Sequence, residues 1–165
     1  MSVVLHFVSE ADPALFSKIA ADVINGCLVK AQLSSRAKTK ELVSDIILMY
    51  IEIEKHEIVF EELLKCLENK TPKIVVGSVG HLKESLKQFG PKIYKLPSLI
   101  KILPSLLEHK DPNIREESKQ LTIEIYKWLK DGLRPQLQSL KPVLLNELEE
   151  EFGKVNQTPK PTVTR

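Results

Sequence analysis

Apolar residues recur along this chain in steps of three and four. Over residues 71–89, Val75, Val79, Leu82, Leu86 and Phe89 are spaced by four, three, four and three. Leu42, Ile46, Met49 and Ile53 repeat the stripe over 35–54, and Leu121, Ile125 and Trp128 repeat it over 111–131. A helix turns once every 3.6 residues, so each stripe lies on one face and predicts a helix with one buried side. Trp128, on its stripe, is expected in the core. Shorter stripes, Phe60, Leu63, Leu64 and Leu67, then Leu99, Ile100, Leu103 and Leu107, predict helices at 56–68 and 95–109. Further helices are expected at 14–31 and 140–152. No stretch alternates with period two between turn residues, so the chain reads as all-α.

The breaks between stripes carry their own chemistry. Thr71-Pro72 and Asp111-Pro112 each set an N-cap residue before a proline at the first helical position. Phe89-Gly90-Pro91 reads as a left-handed stop followed by a residue that cannot continue the helix. Asp131-Gly132 and Arg134-Pro135 break the chain again before the last helix. The tail 154–165, with three Thr and two Pro, reads as a Pro/Thr/Lys linker. Val3 to Val8 reads as the end of a helix whose partner is missing.

The breaks also repeat. LENKTPKI at 67–74 matches LEHKDPNI at 107–114 in residue type at every position, an offset of 40, and Phe60 and Leu63 pair likewise with Ile100 and Leu103. A weaker copy runs from Ser35-Arg36-Ala37 into Leu42 and Ile46, displaced by 36 or 37. A helix pair recurring near every 40 residues is the HEAT or armadillo period. The expected fold is therefore a HEAT-repeat α-solenoid, in which each pair buries one face on the next. Residues 14–31 would pair with 35–54, 56–68 with 71–89 and 95–109 with 111–131, with 140–152 as a C-terminal cap.

Composition narrows the function. Of 165 residues 42% are hydrophobic but 5% aromatic, so Leu, Ile and Val must build the core. The 24 basic and 22 acidic side chains leave a net charge of +2, which argues against nucleic acid as a partner. Cys27 and Cys66 sit in predicted helices without metal-ligand spacing and read as reduced core thiols. No apolar run reaches the length of a membrane span and no signal peptide precedes the first helix, so a soluble intracellular protein is expected. There is no GxSxG, no HExxH and no phosphate-cradling loop among six glycines. His6, His56, His81 and His109 are scattered and read as surface or satisfied side chains. Glu147, Glu149, Glu150 and Glu151 read as a solvated face. No enzyme activity, cofactor or metal is expected.

What remains is a charge pattern. Each second helix opens with cations: Arg36, Lys38 and Lys40, then Lys70 and Lys73, then Lys110 and Arg115. A helix N-terminus carries partial positive charge, so these are the unfavoured sign, at about 0.3–1 kcal/mol each when exposed. In a helix-pair solenoid the three turns lie along one edge, where they would make a basic ridge for an acidic protein surface. A plain solvated surface accounts for the same cations, and charge alone does not choose between the two.

Those residues also carry a resemblance. LMYIEIEK, ENKTPKIV, EIYKWLKDGLRP and LNELEEEF are similar to the first TOG domain of the ch-TOG and Mini spindles microtubule polymerase family. The likeness is strong over 35–153 and weak over 1–34. It implies a domain that binds the αβ-tubulin heterodimer at microtubule plus ends, on the cytoskeleton and at spindle poles and centrosomes. Carried over by position, the contact turns would be 35–40, 69–73 and 110–115, with Arg36, Lys38, Lys40, Lys70, Lys73, Lys110, Asn113 and Arg115 at the interface. Members of the family begin with further helices and a tryptophan-bearing first turn. Against that pattern residues 1–153 amount to a partial domain, lacking about a repeat and a half of roughly 40 residues each. Weakened tubulin binding and self-association through an uncapped N-terminal end, exposing Val3, Val4, Leu5 and Phe7, are then expected. The competing expectation is a generic HEAT scaffold that holds another protein in a groove between helices.

Overall fold

A computed structural model of the chain describes residues 13–155, with side chains from Ser17 onward. The expectations for Val3 to Val8, His6 and most of the proposed linker lie outside the described residues. Eight helices are described: α1 (Pro13–Val29), α2 (Ala37–Glu52), α3 (His56–Leu67), α4 (Pro72–Phe89), α5 (Leu96–Leu107), α6 (Pro112–Leu129), the single-turn α7 (Arg134–Leu137) and α8 (Pro142–Gly153). Short 3₁₀ turns lie at Ala31–Leu33, Pro91–Ile93 and Lys130–Leu133. No strand occurs among the described residues.

The helices pair as α1 with α2, α3 with α4 and α5 with α6, and the pairs stack. Helix α1 packs on α3, and α4 and α6 share the most extensive interface. The repeat carries through to many of the buried positions. Val59 and Leu99, Phe60 and Ile100, Leu63 and Leu103, Leu67 and Leu107, Ile74 and Ile114, and Ser78 and Ser118 are all buried, each pair 40 residues apart. Ala20, Ile24 and Leu28 on α1 precede Val59, Leu63 and Leu67 by 39. Each fully buried Leu or Ile contributes roughly 1.5–3 kcal/mol, so conserving the positions conserves the stack. Helix α5 runs through Pro104, which removes one backbone donor, because Leu99, Leu103, Leu106 and Leu107 are buried on either side of it. Helix α8 closes the far end on α6: Leu148 and Phe152 are buried, and Phe152 stacks on Tyr126 with ring centroids 3.9 Å apart.

Several local expectations are corrected. On α2 the buried residues are Val43, Ile47, Tyr50 and Ile51, while Leu42 is 52% exposed. Two stripes one residue apart overlap on this helix, and docking on its neighbours selects between them. Trp128 is half-buried rather than core; its ring lies against Gly90, where an added Cβ would meet it at 3.4 Å. Gly90 itself has φ 80° and ψ −175°, a glycine-only region rather than the left-handed helical one. The break at 131–135 folds into a 3₁₀ turn and α7, which bury Leu133 and Leu137. At the start of the supposed linker, Val155 packs partly against the core. Cys66 is buried and Cys27 half-buried, both free, and burial raises both thiol pKa values. No helix among the described residues is long and apolar enough to cross a membrane.

Candidate functional site

The turns within the three pairs, 30–36, 68–71 and 108–111, open on one groove. It has a volume of about 640 Å³ and is lined by Gln32 and Lys40, by Thr71, Pro72, Lys73 and Val76, and by Asp111, Asn113, Glu116 and Glu117. Residues from all three turns thus share one edge, as the solenoid geometry requires.

Each turn is braced in the same way. The residue just before the second helix has its backbone N–H bound by a side chain two positions earlier. Ser34 Oγ accepts from Arg36 N at 3.2 Å, Asn69 Oδ1 from Thr71 N at 2.9 Å, and His109 Nδ1 from Asp111 N at 3.0 Å. Three different side chains perform one task, closing a local turn that would otherwise leave a donor unpaired. Asn69 and His109 are repeat equivalents, and a short acceptor two residues before each N-cap was the overlooked signal.

The caps differ. Asp111 Oδ1 accepts from Asn113 N at 2.9 Å, as an N-cap should, whereas Thr71 occupies the cap position without a side-chain cap bond. A further lock holds the first turn. Gln32 lies across Gly77, where a Cβ would come within 2.6 Å of its side chain, and its Oε1 accepts from His81 Nε2 at 3.2 Å. His81 Nδ1 accepts from the Ser44 hydroxyl at 3.3 Å. Both bonds suit the neutral ring, whose pKa burial pushes down to about 4.

The predicted cations fall into two kinds. Arg36, Lys38, Lys40, Lys70, Lys73 and Lys110 are exposed, and none forms an ion pair among the described residues. Arg115 is half-buried and occupied: its Nη1 donates to His109 O at 2.8 Å and to Lys110 O at 3.0 Å. Reading Arg115 as a cation of unfavoured sign at the start of α6 is therefore a mistake. It meets carbonyls just past the C-terminal end of α5, where positive charge is favoured. Asn113, the repeat equivalent of Lys73, is exposed beside it.

Elsewhere cations are mostly engaged. Lys83 bridges to Glu117 at 2.8 Å, Arg134 to Glu149 at 3.0 Å, and Lys119 to Glu147. The acidic run at 147–151 is accordingly an ion-paired face on α8.

The family described as XMAP215/Dis1/CLASP, TOG domain, matches residues 1–152. The chain is 42% identical over 141 residues to protein mini spindles of Drosophila melanogaster, covering 86% of this chain and 7% of that one. It is 32% identical over 156 residues to protein MOR1 of Oryza sativa subsp. japonica, covering 93% and 8%. Among solved structures it superposes, with TM-score 0.77 and 28% identity, on a chain from work on tubulin recruitment and assembly by microtubule polymerases with TOG domain arrays. That match covers 97% of this chain and 34% of the other. The chain thus spans less than a tenth of the length of these two curated relatives.

Proposed function

This chain belongs to the XMAP215/Dis1/CLASP TOG-domain family, and we propose that its braced edge holds the αβ-tubulin heterodimer for microtubule growth. One observation carries the reading: exposed, unpaired cations sit on successive turns that are locked alike and open on one groove. Locked turns lose little entropy on binding, and unpaired cations need shed no internal partner to meet an acidic surface. The proposed contacts are Arg36, Lys38, Lys40, Lys70, Lys73, Lys110 and Asn113, with Arg115 holding the third turn in shape. The domain carries tubulin on the cytoskeleton within a longer polymerase and performs no chemistry of its own.

The test is size-exclusion chromatography with unpolymerised tubulin at low salt. The unmodified chain is expected to co-elute. Reversing one exposed cation on each of two turns, Lys38→Glu with Lys73→Glu, is expected to abolish co-elution while leaving the helical circular dichroism unchanged. Co-elution that survives the double reversal would remove the edge from the mechanism.

A second reading has its own observation. On the opposite edge a cleft of about 440 Å³ lies between α3 and the approach to α5, lined by His56, Phe60, Leu64, Tyr94 and Lys95 among others. Phe60 and Tyr94 stack beneath it with centroids 4.7 Å apart. A helical scaffold that seats another protein there would be indifferent to charge on the turns.

A further inference from the structure

The groove over the three turns is not uniformly basic. Its α2 and α4 side carries Lys40 and Lys73, and its α6 side carries Asp111, Glu116 and Glu117. The repeat shows how the polarity arises: where α4 has Lys73 and Val76, α6 has Asn113 and Glu116 at the equivalent positions. Most charges on the α6 side are already satisfied. Asp111 caps its helix, Glu117 is bridged by Lys83, and Arg115 is bound to the carbonyls of its own turn. Glu116 is exposed and receives only a long contact from Gln120 Nε2 at 3.4 Å. Lys40, Lys73 and Glu116 line one groove and none of them forms an ion pair.

We propose that this groove is a two-signed binding site for a partner segment bearing a carboxylate beside an ammonium or guanidinium group. The carboxylate meets Lys40 and Lys73, and the cation meets Glu116. The inference rests on the tubulin-edge reading and adds to it that Glu116 determines specificity. Docked the other way round, such a segment brings like charges together at both ends, so the groove fixes the direction in which the partner lies along the solenoid.

A sign test separates this from a simple basic ridge. Glu116→Lys makes the edge more positive, so a ridge that works by net charge should bind tubulin more tightly. The two-signed groove predicts the reverse, a loss of about five- to tenfold in affinity at low salt, the size expected for one opposed charge in a partly screened contact. Asp22→Lys, at an exposed aspartate on α1 that lines neither this groove nor the surface pocket Glu116 shares with α8, adds the same charge and serves as the control, with no loss expected. Circular dichroism checks that both variants keep the fold. If Glu116→Lys binds as well as or better than the unmodified chain while Lys73→Glu still loses binding, the groove proposal is overturned and the edge reading stands. If neither variant changes binding, or the unmodified chain does not bind, both are overturned.

Discussion

Buried His81 shows how one residue ties the first turn to the second repeat. Its ring is held neutral between Ser44 and Gln32, with burial lowering its pKa to about 4. An unfolded histidine takes its proton near pH 6.5, so below that value the unfolded chain binds a proton that the folded chain refuses. The stability contributed by the neutral ring is therefore complete above about pH 6.5 and lost as pH falls toward 4, to a total of roughly 3 kcal/mol. Urea unfolding at pH 7 and pH 5 checks this. The unmodified chain should lose about 2 kcal/mol more between the two than His81→Gln does; equal losses would disconnect the ring from the acid sensitivity. His81 was legible only as a scattered histidine, because its partners lie 37 and 49 residues away.

At the scale of the element, the two proline-led helices test whether cap position or cap bond matters. Thr71 and Asp111 occupy equivalent places, but only Asp111 bonds to its helix. Asp111→Ala is expected to destabilise the fold by about 1 kcal/mol, and Thr71→Ala by less than about 0.5 kcal/mol. Chemical denaturation of the two variants measures the difference, and equal costs would refute the assignment. Both caps looked alike in sequence because cap propensity reports residue type and not the rotamer a turn selects. Stripe assignment shows the same limit. On α4 the stripe Val75, Val79, Leu82 and Leu86 is buried as expected, because its neighbouring faces carry Lys73, Lys83 and Lys87. On α2, Leu42 and Val43 both suit the period, and only packing could expose the first and bury the second.

Across the whole molecule, the two functional readings differ in their response to salt. Exposed charges on the turns are screened over about 8 Å at physiological ionic strength. Tubulin binding through them should weaken steeply between low and physiological salt, whereas seating a partner between α3 and α5 should change little. Titrating salt in a tubulin-binding assay distinguishes the two: a flat profile would favour the cleft on the opposite edge. The salt response reports the edge as a whole; the charge-reversal variants report its parts.

The amino-acid sequence by itself determined the helix content, the helix pairs and the 40-residue repeat. These depend on apolar spacing, proline placement and local turn chemistry, all written in residues close together in the chain. It also placed the cations at equivalent turns, since the repeat puts those turns on one edge. Tertiary structure alone decided which of those cations are free. Arg115 is spent on the carbonyls of its own turn, Glu116 is left unpaired across from Lys40 and Lys73, and Gln32 reaches His81 over Gly77. Each of these depends on how long side chains reach across a turn or between stacked helices, a choice that spacing along the chain does not encode.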